Sequence, residues 1–283
     1  MTLVIALKQF ETEKEANKNG RARLCVFSDS KETMGNELIS MNRKCRKVYP
    51  ILFGKQYVGS RAAPLAIWSG AGDSTFLKKG KSICETILKD HYIKEWEKAH
   101  PTFDQFGEAV EIIEESLLQK FKEYDKRNLD IALEMILGSV DNSGKVSLYQ
   151  FNSEGLSEQL HDDPGYAILG CGYLTGANVL LNMLGYDLEN SWRFDSHALI
   201  AFVIDRVSEI DPAVGWFEGD GYIMWVENDQ VFMGPLKENY IRRYQTTSQL
   251  RTDMIRYLWS LCDESGDKEV SRKMARLRFR GRA

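Results

Sequence analysis

No stretch of this 283-residue chain approaches the ~18–20 consecutive apolar residues that a membrane-spanning helix needs. The opening, Met1-Thr2-Leu3-Val4-Ile5-Ala6-Leu7-Lys8, is apolar over too short a distance for a signal peptide and alternates as a strand does. Paired cysteines are missing too: Cys25, Cys45, Cys84, Cys171 and Cys262 are odd in number, scattered and never spaced CxxC. That excludes a zinc knuckle and a disulfide framework, and reduced thiols in the cytoplasm are the expected state. The four histidines share no metal-ligand spacing, so neither a metal nor a cofactor is expected. His91 and His100 accompany a charged helix, His161 is expected in a polar loop, and His197 stands near a helix start. Neither sign of charge dominates, with 37 basic against 41 acidic side chains and a net charge of -4. Nothing in that total directs the chain to nucleic acid or a membrane surface. An internal repeat, a low-complexity linker and a phosphate-loop lysine pattern are likewise lacking.

What is present is the composition of a folded globular protein, 43% apolar and long enough for one generous core plus an appendage. Val4–Leu7 reads as a strand, Gln9–Gly20 as an exposed hairpin loop without core residues, and Leu24–Phe27 as the returning strand. Further strands are expected at Lys47–Leu52 and Leu65–Trp68, with Ser69–Asp73 as a glycine-containing break. From Ser74 the texture becomes helical: Ile112, Ile113, Leu117, Leu118 and Phe121 fall at helical spacing. A second helical stretch is expected at Leu129–Leu137, then a turn and an alternating strand to Tyr149. Tyr166–Leu169 is a short strand ending at Gly170-Cys171-Gly172. Helices follow at 175–184 and 196–209, and a hairpin spans 222–233 through Asn228-Asp229. The segregated order implies an α+β body, a four-layer αββα sandwich over 2–236 with two sheets inside. A C-terminal extension, 237–283, would add a helix at 239–261 and a basic tail. In that tail Arg272, Lys273, Arg276, Arg278, Arg280 and Arg282 occur without an acid, as a solvated segment or one that docks on an acidic surface.

Several segments carry a resemblance when taken in order. These are the short strand opening with Thr2, then Ser28-Asp29-Ser30-Lys31-Glu32-Thr33-Met34-Gly35, then Lys47-Val48-Tyr49-Pro50-Ile51 and the Ser69–Asp73 glycine segment. Leu137-Gly138-Ser139-Val140-Asp141, Gly170-Cys171-Gly172-Tyr173 and Asp211-Pro212-Ala213-Val214-Gly215 complete the series. Over residues 2–236 the chain resembles the proteasome β-subunit superfamily of N-terminal-nucleophile hydrolases. It departs from that pattern in its long 9–20 loop, in Cys171 and Val214 where the family has serines, and in everything after Leu236. Two extra residues before Lys47 make Lys44 a competitor for the family's lysine role.

A threonine hydroxyl needs a base, and a free α-amine with an ordinary pKa of about 7.7–8.0 can be one. Excision of Met1, expected before a small residue, would give Thr2 both nucleophile and base. The resemblance implies Lys47 as the cation beside that pair and Asp29 as its orienting carboxylate. It also implies Ser69 or Gly70 as the oxyanion donor, with Cys171 and Asp211 hydrogen-bonding near the amine. The implied activity is hydrolysis of polypeptide amide bonds through a Thr2 ester, by a homo-oligomeric ring or partial ring that works with an unfoldase or regulatory partner. Two other readings remain open: a connectase-like peptide ligase, and a catalytically silent scaffold or assembly subunit.

Overall fold

The computed structural model describes residues 2–34, 39–41, 46–54, 62–127, 129, 132–236, 240–244, 246–247 and 250–255. Strand β1 (Val4–Phe10) is buried almost throughout because it has apolar partners on both faces. Val4 and Ala6 share a core with Ile67, Ile136 and Leu148, whereas Leu3, Ile5 and Leu7 share another with Ile200, Val203 and Ile204. A strand between two apolar layers has no polar face, so it reads as a continuous apolar run. The segment after β1 is not a bare loop. Helix α1 (Glu13–Ala16) occupies it, capped by the Thr12 hydroxyl, and Phe10 at its base is buried core. Strand β2 (Ala22–Ser28) returns antiparallel to β1.

A two-stranded hairpin follows, β3 (Glu32–Met34) and β4 (Ile39–Met41). Strands β5 (Val48–Phe53) and β6 (Ala63–Gly72) begin the second sheet. Here the expected break at Ser69–Asp73 is corrected, since β6 runs through Ser69 and Gly70 and ends only at Gly72. Pairing with the next strand continues to Gly72↔Leu133, which overrides the weak strand propensity of two glycines. Helices α2 (Ser74–Lys94) and α3 (Phe103–Asp125) come next, the first capped by Asp73 and the second by a Thr102/Gln105 capping box.

The helix expected at Leu129–Leu137 is also corrected. Within that stretch the described backbone is strand β7 (Leu133–Val140), at the centre of the second sheet. Seven of its eight residues are buried, and an apolar run covered on both faces carries no period that separates strand from helix. Strands β8 (Val146–Phe151), β9 (Ser157–Gln159) and β10 (Tyr166–Leu169) follow. His161, expected in a polar loop, is buried. A π turn at Tyr173–Ala177 leads into α4 (Asn178–Met183), and α5 (Ser196–Ile210) is capped by Asp195. Strands β11 (Asp220–Glu227) and β12 (Gln230–Pro235) close the body. Asn228 and Asp229 both have positive φ in their turn, as a two-residue hairpin demands.

The sheets have the orders β10-β1-β2-β11-β12 and β5-β6-β7-β8-β9 and are antiparallel throughout. One core lies between them, one joins the first sheet to α5, and one joins the second to α2 and α3. At about 1.5–3 kcal/mol for each large apolar side chain removed from water, the residues common to these layers dominate the driving force. The backbone at 240–244, 246–247 and 250–255 is helical; Tyr244 is buried in the α5-side core, and Arg251 donates to the Ala198 carbonyl at 3.0 Å. Met1, Lys44 and the basic tail lie outside the described residues.

Strand register decides what meets at one end of the sandwich. Val4 pairs with Ser28 and with Leu169, Asp220 pairs with Ser28, and Val48 pairs with Ser69. Thr2, Asp29, Lys47 and Gly170 therefore fall one or two residues beyond paired positions, at a common corner.

Candidate active site

Asp29 is the hub of that corner and is fully buried. One carboxylate oxygen, Oδ1, accepts from the Thr2 hydroxyl at 2.9 Å, from the Leu3 N–H at 2.8 Å and from Lys47 Nζ at 2.6 Å. The other, Oδ2, accepts from the N–H groups of Lys31 at 3.1 Å and Gly215 at 2.8 Å. A charge in the interior persists only when paired and hydrogen-bonded, and these five donors meet that need. The Asp29 N–H donates to the Leu3 carbonyl at 3.0 Å, so the chain on either side of Thr2 and Asp29 is pinned as well.

Lys47 is held at three points. Its ammonium donates to Asp29 and, at 2.5 Å, to the Lys31 carbonyl. Its carbonyl accepts from the buried Ser69 hydroxyl at 3.0 Å, and its N–H donates to Asp220 Oδ2 at 2.6 Å. With its side chain only 9% exposed, it is a buried cation against a buried carboxylate. Thr2, Asp29 and Lys47 are thus brought together by three separate strands.

Gly170 closes the other side of Thr2. It has φ +86°, and a Cβ there would stand 2.1 Å from the Thr2 carbonyl oxygen. Only glycine permits both the left-handed backbone and that approach. Cys171 Sγ lies 3.6 Å from the same carbonyl oxygen and is half-buried. Burial, and then the Asp211 carboxylate, push its thiol above the ordinary range, so it stays protonated at neutral pH. Asp211 is buried at the C-cap of α5 and accepts from the Ala213 N–H at 2.8 Å and from the Thr175 hydroxyl at 2.9 Å.

Asp211 thus has a hydroxyl partner, supplied by Thr175 from the π turn. Val214 itself is buried in the α5-side core. Thr175 is four residues beyond Cys171, and only the fold tells it from any other exposed threonine. Asp220 was equally hidden: it lies 173 residues from Lys47, and no spacing connects them.

A cavity of about 930 Å³ opens beside Thr2. Ala71, Gly72, Glu134, Gly170, Cys171 and Tyr173 are among its lining residues, and the Gly170 N–H donates to Glu134 Oε2 at 3.2 Å. Ser69 and Gly70, the expected oxyanion donors, are not among its lining residues. Ser69 is fully buried with its hydroxyl on Lys47, and a Cβ on Gly70 would meet the Leu77 side chain at 2.5 Å. Gly72 is the exposed end of the glycine segment, and Ala71 beside it is buried. Among the described residues no group of three His, Cys, Asp or Glu side chains could hold a metal ion, and no helix is long and apolar enough to cross a membrane.

No family model matches the sequence, and no curated protein is significantly similar to it. Solved structures do match. The chain is similar to a Gly-1 mutant of Anbu from Hyphomicrobium sp. strain MC1, with a TM-score of 0.57 and 15% identity over 92% of this chain and 97% of that one. At that identity the likeness speaks for architecture alone: the chain shares that protein's fold, a sandwich of two antiparallel sheets with helices packed on it.

Proposed function

We propose that this protein is a threonine-type amidohydrolase that cleaves polypeptide amide bonds, with residues 2–236 as its catalytic body. The observation that carries the reading is the shared oxygen: Asp29 Oδ1 accepts from both the Thr2 hydroxyl and the Lys47 ammonium. A buried salt bridge is poor evidence of stability, because two buried charges cost about as much to desolvate as they return. A lysine held in this way beside a hydroxyl is better explained by chemistry.

In this reading cleavage of the Met1–Thr2 bond frees the Thr2 amine. The amine takes the hydroxyl proton as Oγ1 attacks the substrate carbonyl, while the nearby Lys47 charge favours the neutral amine and the developing alkoxide. The tetrahedral oxyanion is held by a backbone N–H of the 69–72 segment, at the edge of the cavity. Collapse expels the amine half of the peptide, which leaves with the proton from the Thr2 amine, and an ester remains on Thr2. Water then attacks the ester and releases the acid half with Thr2 restored. Asp211, Thr175 and Cys171 orient the amine from the opposite side.

The test is product analysis by mass spectrometry, with the Met1–Thr2 bond cut, on a peptide mixture with and without an added acceptor peptide. The proposal expects hydrolysis products that are absent with Thr2→Ala and little changed by the acceptor. Ligated products in place of hydrolysis would make the protein a ligase. No turnover by either route, in protein with a free Thr2 amine, would leave the scaffold reading.

A further inference from the structure

The Asp220 carboxylate is a half-buried acid to which the proposed chemistry assigns no task. Its Oδ2 accepts three hydrogen bonds: from the Lys47 N–H at 2.6 Å, from the Val48 N–H at 3.1 Å and from the Ser28 hydroxyl at 2.8 Å. Asp220 opens β11 in the first sheet, Ser28 closes β2 in the same sheet, and Lys47-Val48 lead into β5 of the second. One oxygen therefore ties the two sheets together where the lysine enters. The Lys47 N–H precedes the β5 ladder and the Val48 N–H belongs to its first pair, Val48↔Ser69, so Asp220 holds the chain where the ladder begins.

We propose that Asp220 is a positioning residue, which sets the place of the Lys47 ammonium by accepting from the Lys47 and Val48 backbone. The inference rests on the reading of Thr2, Asp29 and Lys47 as a reactive group. Three restraints converge on Lys47: Asp220 on its N–H, Ser69 on its carbonyl, and Asp29 with the Lys31 carbonyl on its ammonium. Without the first, the backbone can turn about the other two, and Nζ leaves the oxygen that it shares with Thr2. Burial raises the Asp220 carboxyl above the ordinary aspartate range against the lowering effect of its three donors, so its charge costs more here than on an exposed aspartate. An apolar residue would avoid that cost but could accept nothing.

The experiment measures two quantities on wild type, Asp220→Ala and Asp220→Asn. One is acylation of Lys47 by a small amine-reactive reagent, read by peptide mass spectrometry; it needs no catalysis. The other is the rate of peptide epoxyketone addition to Thr2. A hydrogen bond to a charged group is worth about tenfold or more in an equilibrium, so Asp220→Ala is expected to raise Lys47 labelling and to slow adduct formation by about that factor. Asp220→Asn keeps one acceptor oxygen and is expected to stay within about threefold of wild type in both. Folded Asp220→Ala with wild-type labelling overturns the proposal. So does Asp220→Asn as impaired as the alanine variant, and this second comparison decides the matter if the alanine variant does not fold. A wild type that forms no adduct, yet shows the expected labelling pattern, would count against the reading of Thr2 and leave the role of Asp220 in placing Lys47 intact.

Discussion

Lys47 Nζ lies 2.6 Å from Asp29 Oδ1, and that oxygen also holds the Thr2 hydroxyl at 2.9 Å. The lysine and the threonine are separated by 45 positions in the chain and come from different sheets, yet they share one acceptor. Everything proposed for this site depends on that arrangement, and most of the tests below disturb one side of it.

Asp29→Asn removes the negative charge and leaves the Lys47 ammonium buried against a neutral amide. Breaking a buried pair from one side costs about 3–5 kcal/mol, so a clear fall in melting temperature is expected. Epoxyketone addition to Thr2 should slow by about a hundredfold or more, on the scale of removing a positioned acid–base group. Thermal melts and timed intact-mass spectra read the two effects on one sample.

Gly170→Ala attacks the nucleophile through its backbone. The new Cβ would fall 2.1 Å from the Thr2 carbonyl oxygen, at a φ of +86°. The left-handed conformation alone costs about 1–2 kcal/mol for an L-residue, and the clash must move the Thr2 peptide. Adduct formation is expected to fall much further than stability does. A variant that reacts like wild type would show that the Thr2 backbone need not be held there.

Thr175→Val deletes the hydroxyl that donates to Asp211 while keeping the side chain's shape. The expected stability loss is about 0.5–1.5 kcal/mol, with adduct formation slowed by about tenfold. Val214→Ser puts a hydroxyl into a packed apolar core. It is expected to destabilise by about 1–3 kcal/mol and to gain no reactivity. Faster addition with Val214→Ser would show that Thr175 is not a sufficient hydroxyl partner for Asp211.

His197 gives a pH signature away from the site. Burial pulls its pKa down, but the Asp195 carboxylate and the neighbouring Cys25 sulfur outweigh that, and the net result is a rise from 6.5 to about 10. A folded value above the unfolded one stabilises fully below about pH 6.5, and the contribution disappears as pH rises through about 10. The melting temperature should therefore fall between pH 7 and pH 10 in wild type. In His197→Gln, that part of the pH dependence should be gone.

Much of this was legible in the chain, for physical reasons. Val4–Leu7, Leu24–Phe27 and the hairpin through Asn228-Asp229 advertise themselves by β-branched content and turn chemistry. Thr2, Asp29 and Lys47 sit at the ends of such strands, but only the resemblance grouped them, since strand pattern does not say which strand ends meet. The misreadings share a cause. β7 is buried on both faces, and β6 runs on through two glycines because its neighbour continues, so tertiary pairing overrides the local signal. Ala71 and Gly72, at the end of that extension, are among the residues that line the cavity. Thr175 and Asp220 were invisible for a different reason: each matters only through a partner 36 or 173 positions away.

The most direct test of the central claim is the intact mass of protein cut at the Met1–Thr2 bond and treated with a peptide epoxyketone, which needs both a free threonine amine and its hydroxyl. A single adduct on Thr2 is expected in wild type and none in Thr2→Ala, with Asp29→Asn slower by about a hundredfold or more. Protein with a free Thr2 amine that stays unmodified, with small and large peptide epoxyketones alike, would contradict it.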